Sequence, residues 1–248
     1  MKRVRVDDIV VSVDDHQSNS LLANFVDRWP VCAGSASASV HLSAEQGIHL
    51  SWDNNGHKLR YFIDIEKFTL QERSFPSAKQ GALNQALGKK TKSVLDATGG
   101  WGSDALRMCS QAYIVTLVER NAIMALLLKD AMCRLSRTEW VSKNSICVPE
   151  VVEADATYYL ASTKKHYDCI YLDPMFPPKR KKSAAANKNM QFLQWLLNQD
   201  HDSAQLAKTA YLTGTRVVVK RPEYAPSLIA EPQQRFSSKL VNYDVYLP

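Results

Sequence analysis

Between Ser93 and Lys220 the chain alternates short apolar runs with helix-length amphipathic ones, and this alternation restricts the fold more than any other feature. The runs "SVLDAT" (93–98), "AYIVTLVE" (112–119), "PEVVEAD" (149–155), "YDCIYLD" (167–173) and "TRVVVK" (215–220) have the length and Val/Ile/Leu content of strands. Helical stretches "SDALRMCSQ", "AIMALLLKDAMCRL" and "ATYYLAST" separate the first four, and "NMQFLQWLLNQ" and "DSAQLAKTAYL" precede the fifth. A strand covered on both faces is apolar throughout. Repeated units of this kind therefore predict an α/β fold, a mostly parallel sheet with helices on both faces. The closing "QRFSSKLVNYDVYL" reads as a β-hairpin and brings the expected strands to seven.

The chain before this repeat reads differently. "VRVDDIVVSV" is strand-like, "HQSNSLLANFVDRW" is a short helix ending at Pro30, and "SASAS" (35–39) is a flexible connection. "GIHLSW" and "HKLRYFIDI" alternate around Asn55-Gly56, a hairpin signal. Residues 1–66 are thus expected as a small β-rich N-terminal subdomain that must pack on the larger domain, 67–248, because one hairpin is not stable alone. Within the latter, "SAKQGALNQALGKK" reads as a helix stopped by Gly88.

Hydrophobic residues make up 45% of the 248 and charged ones 23%, enough for a real core. The five cysteines are scattered, with no C-x-x-C pair and no zinc spacing, as expected of small buried hydrophobes in a reducing compartment. The first residues carry acids where a signal peptide needs an apolar stretch, and the apolar run 122–128 is too short to span a bilayer. These features predict a cytoplasmic protein with no membrane or metal partner. The net charge of +6 suggests an anionic one.

In a doubly wound sheet, ligands bind beyond the carboxyl ends of the strands. That rim gathers Asp96–Ser103, Glu119-Arg120, Asp155-Ala156 and the segment from Asp173 to Pro178. Gly100-x-Gly102-x-x-Ala105 satisfies the dinucleotide pattern G-x-G-x-x-G/A, with Glu119 at the next strand end, so an NAD-dependent oxidoreductase fits the spacing. Asp96 argues against it, because a carboxylate just ahead of the glycines faces a pyrophosphate badly but suits a cationic cofactor. The loop also fits D-x-x-x-G-x-G, the nucleotide loop of S-adenosylmethionine (SAM) methyltransferases. Asp96 would then meet the methionine end, Glu119 the ribose hydroxyls, and Asp155 or Ala156 the adenine. Ser103 or Asp104 is the expected cap of the helix that follows.

"LDPMFPPKRKK" (172–182) is an irregular loop of prolines, an acid, an aromatic ring and cations. Asp173-Pro174-Met175-Phe176 resembles the [D/N]-P-P-[Y/F/W] tetrad of enzymes that methylate exocyclic amines of bases. Such an amine is a weak nucleophile because its lone pair is delocalised. The Asp173 carboxylate and Pro174 carbonyl, accepting its two N–H groups, would draw that pair out and stabilise the developing positive charge. Phe176 can stack on a base taken out of its helix. Lys179, Arg180, Lys181, Lys182 and Lys188, with Lys220 and Arg221 at the next strand end, are expected at RNA phosphates.

Together "LDATGGWGSDAL", "LVER", "YLDPMFPPKRKKSA" and "RVVVKRPEYAP" resemble the bacterial ribosomal RNA small subunit methyltransferase J family over residues 70–248. The resemblance implies a class I, Rossmann-like SAM-methyltransferase fold and methylation of a guanine N2 amine in 16S rRNA. It implies SAM contacts at Ser103-Asp104, Glu119-Arg120, Asp155-Ala156 and Asp173. A monomer is expected. Met175 is the letter specific to the family's D-P-M-[FY]-P form. Ser103 stands where the family usually has Arg, and Gly100 where it has Ala. Two other readings remain open, the NAD-dependent oxidoreductase and a non-catalytic RNA-binding assembly factor.

Overall fold

Burial along the strands shows why helices cover both faces. A computed structural model describes residues 2–6, 9–14, 17, 19–32, 40–54, 57–71, 81–176, 196 and 202–248. In β6 (Ser93–Asp96), β9 (Cys169–Leu172) and β10 (Val217–Pro222), the side chains of Val94, Cys169, Tyr171 and Val218 enter one apolar cluster. Their neighbours Leu95, Ile170, Leu172, Val217 and Val219 enter a second on the other face. Helices α4 (Ser103–Ser110) and α5 (Ala122–Ser136) complete the first, and α7 (Ala156–Ser162) and α8 (Ser203–Thr213) the second. Two-sided burial is what the continuous apolar runs predicted.

With β7 (Ile114–Glu119), β8 (Glu150–Glu153), β11 (Gln234–Ser237) and β12 (Val241–Tyr246), the sheet has seven strands in the order β11-β12-β10-β9-β6-β7-β8. The five from β6 to β10 are parallel, and β12 runs antiparallel to both β10 and β11. From β6 the chain winds outward through β7 to β8, then returns to lay β9 on the other side of β6. That reversal opens a crevice at the carboxyl ends of β6 and β9. The class I methyltransferase fold is therefore the fold of this chain.

The N-terminal part is a second sheet, β1 (Lys2–Val6), β2 (Ile9–Val13), β3 (Val40–Ala44), β4 (Ile48–Asn54) and β5 (His57–Tyr61), in sequence order. "VRVDDIVVSV", expected to be strand-like, supplies two strands, β1 and β2, that pair antiparallel. The two helices expected before the repeat are α1 (Ser20–Asp27) and α3 (Ala82–Leu87), the latter ending at Gly88. Strand β3 and helices α2 (Ile65–Gln71) and α6 (Glu139–Asn144) were not foreseen; each is short, and local pattern is weak at that length. The boundary expected at residue 66 falls inside α2. The Asn55-Gly56 turn, the "SASAS" connection and all but Leu196 of "NMQFLQWLLNQ" lie outside the described residues.

The two sheets share one core. Val11, Leu22, Phe25, Leu42 and Leu50 belong to the same buried cluster as Leu126, Leu135 and Val94. Helix α5 carries the junction: Asp130 accepts the backbone N–H of Ile48 at 3.0 Å and the Arg134 guanidinium at 2.8 Å, and Arg134 reaches the Ile63 carbonyl at 2.9 Å. Tyr61 stacks on Trp101 of the glycine loop, with ring centroids 5.6 Å apart. Among the described residues no helix is long and apolar enough to cross a membrane.

Candidate functional site

The carboxyl ends of β6, β7, β8, β9 and β10 surround a cavity of about 560 Å³. Asp96, Gly100, Gly102, Ser103, Asp104, Glu119, Arg120, Asp155 and Ala156 all line it, as do Asp173, Pro174, Phe176, Lys220 and Arg221. The structure thus brings every described candidate to one wall or another. Lys179, Arg180, Lys181, Lys182 and Lys188 lie outside the described residues.

Close packing explains part of the glycine loop. A Cβ on Gly99 would come within 2.5 Å of Leu117, and one on Gly102, at φ 71°, within 2.7 Å of Leu128. A Cβ on Gly100 (φ 50°) would meet nothing nearer than 3.9 Å, so that glycine serves its backbone conformation and the open space beside it. Gly102 also caps α4 with no side-chain hydrogen bond. This corrects the expectation that Ser103 or Asp104 caps the helix: Asp104 points elsewhere.

The three acids of the β6, β7 and β8 ends are held by backbone N–H groups. Asp96 is 2% exposed and accepts the Thr98 N–H at 3.1 Å and the Thr98 hydroxyl at 3.3 Å. Burial pushes its carboxyl up to about 8, Thr98 opposes this, and Asp104 and Asp173 add to it. Among the described residues no cation pairs with Asp96, so a buried acid faces the cavity without a counter-charge. Glu119 accepts Gly100 N–H through Oε2 and Asn121 N–H through Oε1, both at 2.8 Å, pinning the glycine loop and the start of α5. Asp155 caps α7 by accepting Tyr158 N–H at 2.9 Å. A carboxylate has about four lone-pair sites, so all three can still receive hydroxyl or amine donors.

Around β9 and β10 the charges pair across strands. The Lys220 ammonium donates to Asp104 Oδ2 at 2.7 Å and to Asp173 Oδ2 at 2.8 Å, and the buried Tyr171 hydroxyl donates to Asp104 Oδ2 at 2.6 Å. Burial and Asp104 raise the Asp173 carboxyl to about 6, while Lys220 holds it down. Burial works against the Lys220 charge, but Asp173 and Asp104 outweigh it and raise its affinity for the proton. Arg221 is 4% exposed; its guanidinium grips Asp244 at 2.6 Å and the Ala225 carbonyl. Lys220 and Arg221, expected at RNA phosphates, are therefore engaged inside the fold. A cation at a strand end reads the same in sequence whether its partner is a phosphate or a distant carboxylate.

Thr98 is the site residue that sequence reasoning underused. Its hydroxyl accepts the Asp173 N–H at 2.7 Å while donating to Asp96, which ties the proline loop to the glycine loop. The local Asp-x-Thr spacing was the signal for the first bond; nothing local could show the second. Trp101, Asp202, Leu206, Tyr224 and Val241 also line the cavity. Met175 packs partly into the main core as well as the cavity wall.

A family model for SAM-dependent methyltransferases matches residues 24–248. The chain is 35% identical over 207 residues to ribosomal RNA small subunit methyltransferase J of Coxiella burnetii (strain RSA 331), 80% of each protein. It is 36% identical over 190 residues to the protein of that name from Legionella pneumophila (strain Lens), covering 75% of this chain and 76% of that one. The crystal structure of a SAM-dependent methyltransferase from Neisseria gonorrhoeae superposes with a TM-score of 0.71, over 96% of this chain and 95% of that one, at 24% identity.

Proposed function

The chain belongs to the ribosomal RNA small subunit methyltransferase J family of SAM-dependent methyltransferases, and from that premise we propose that it methylates the exocyclic N2 amine of a guanine in 16S ribosomal RNA. The observation that carries this reading is a single cavity lined both by Asp96, a buried acid with no cation beside it among the described residues, and by Asp173-Pro174-Met175-Phe176.

The residues present fit the cofactor. Asp96 offers a buried carboxyl that its cationic end would ionise, Glu119 and Asp155 accept hydrogen bonds at the wall its nucleoside would meet, and Gly100 leaves room beside them. Bound there, SAM would supply an electrophilic sulfonium methyl for the amine lone pair, and its sulfur would keep the electrons of the broken bond as S-adenosylhomocysteine. The chain does the rest. Asp173 and the Pro174 carbonyl accept the amine's N–H groups, which orients the lone pair and stabilises the positive charge that grows on nitrogen. Phe176 stacks on the extruded base, and the extra proton on nitrogen departs to water. The cations from Lys179 to Lys182, with Lys188, hold the flanking phosphates. The protein acts in the cytoplasm, as a monomer. No specific observation favours the nicotinamide or the non-catalytic reading.

The test is Asp173→Ala. Methyl transfer from labelled SAM to 16S rRNA should fall by about 10³-fold, the scale of losing a preorganised transition-state contact. The Kd for SAM should change by less than about fivefold, because the contact is made to the acceptor. Transfer at wild-type rate would overturn the assignment. Ribosomal RNA from cells lacking the gene should miss one N2-methylguanosine by mass spectrometry.

A further inference from the structure

Lys220 is the one cation that reaches the methyl-acceptor loop among the described pairs, and it does so from inside the protein. It leaves β10 and ends between Asp104 at the start of α4 and Asp173 after β9. Tyr171 fixes the far side of the bridge through Asp104 Oδ2. Four side chains from three neighbouring elements thus form one chain of short hydrogen bonds, Tyr171–Asp104–Lys220–Asp173, terminating on the acid assigned to the acceptor amine.

We infer that Lys220 is the positioning residue of the reaction: by occupying Oδ2 of Asp173 it sets that carboxylate's rotamer and turns Oδ1 toward the N–H of the acceptor amine. This rests on the proposed role of Asp173. It also has an electrostatic side. Asp173 stands among Asp96 from β6, Asp104 from α4, Tyr171 from β9 and Tyr243 from β12, with Arg107 of α4 acting on Tyr243. Burial and the neighbouring Asp104 carboxyl favour its protonated form, and a protonated acid offers a donor where the amine needs an acceptor. The Lys220 ammonium offsets this and keeps Asp173 ionised near neutral pH.

The test combines Lys220→Met with Lys220→Arg, Asp104→Asn and Asp173→Ala. In the ligand-free chain, carbon-13 NMR should find the Asp173 carboxyl titrating near pH 6. The midpoint should rise to about pH 7 or above in Lys220→Met, stay in Lys220→Arg, and fall in Asp104→Asn, which removes a like charge. The kcat/KM for RNA in Lys220→Met should stay below wild type even at about pH 8.5, where Asp173 is ionised but no longer held, and the deficit should widen about eightfold further by about pH 5.5, following the ionised fraction of Asp173. A merely structural lysine would lower activity equally at every pH, and that result, or an unmoved midpoint, overturns the inference. If Lys220→Met does not fold, the opposite movement in Asp104→Asn and the retained profile of Lys220→Arg decide the matter alone: failure of either overturns it. Full transfer by Asp173→Ala sinks the underlying assignment instead, whatever Lys220 does.

Discussion

The two halves of the cavity rim hold their charges in opposite ways. On the β6–β7–β8 side each acid accepts backbone N–H groups: Thr98 for Asp96, Gly100 of the adjoining loop and Asn121 for Glu119, Tyr158 for Asp155. On the β9–β10 side the charges pair over long separations, Lys220 with Asp104 and Asp173, Arg221 with Asp244. Backbone N–H groups neutralise a carboxylate only partly and cannot be released. The first half is therefore left electronegative and rigid, suited to a cationic nucleotide-like ligand. Side-chain cations carry a full opposite charge, so the second half has its acids paired before an acceptor arrives. One half attracts; the other aligns.

Variants on either side should separate these behaviours. The largest effect belongs to Arg221→Met, which leaves the fully buried Asp244 with Arg235 and Ser227 as partners. Breaking a buried pair from one side costs about 3 kcal/mol or more, so thermal or denaturant unfolding should show that loss. The RNA affinity of the protein that remains folded should be unchanged; weaker RNA binding without lost stability would mean that Arg221 meets phosphate after all.

Asp96→Asn comes next. SAM affinity measured by calorimetry should weaken by about 100-fold, the equivalent of about 2.7 kcal/mol for one buried charge–charge contact. Ligand-free stability at pH 7.5 should rise, by on the order of 1 kcal/mol, because the variant no longer buries an ionisable acid. An unchanged Kd would break the contrast between the halves.

The smallest effect is a pH dependence with a definite sign. Asp96 titrates near 8 in the ligand-free chain, above the ordinary carboxylate range, so it is mostly protonated at pH 6. A cation beside it favours the ionised form, so SAM binding should release a proton. Affinity should accordingly rise from pH 6 to 8, by at most about tenfold per pH unit, and level off above. The same linkage makes the acid's contribution to ligand-free stability fall as pH rises from about 4 toward 8. Asp96→Asn should abolish both trends, and proton release that persists in it would point to Asp173.

The same contrast explains what could be read without coordinates. The parallel sheet, the glycine turn, the acids at consecutive strand ends and the Asp173–Phe176 tetrad were all legible, because each is encoded within a few residues by period, turn chemistry or spacing. The shared core of the two sheets, the Thr98 link between loops and the partners of Lys220 and Arg221 were not. Ion pairs between Arg221 and Asp244, or Lys220 and Asp104, depend on which strands the fold sets side by side, and a charge carries no mark of its partner.

By itself the sequence determined that this chain forms a doubly wound sheet, that the candidate ligand residues gather at the carboxyl rim, and that the rim is acidic beside its glycines. Only the tertiary structure decided which of those charges remain available to ligands and which are consumed in holding the site together. The physical reason is range: periodicity and turn preference act over a few bonds, whereas the balance between burial and pairing at Asp96, Asp173 and Lys220 is set by side chains that only the folded chain brings together, Lys220 and Asp173 to 2.8 Å.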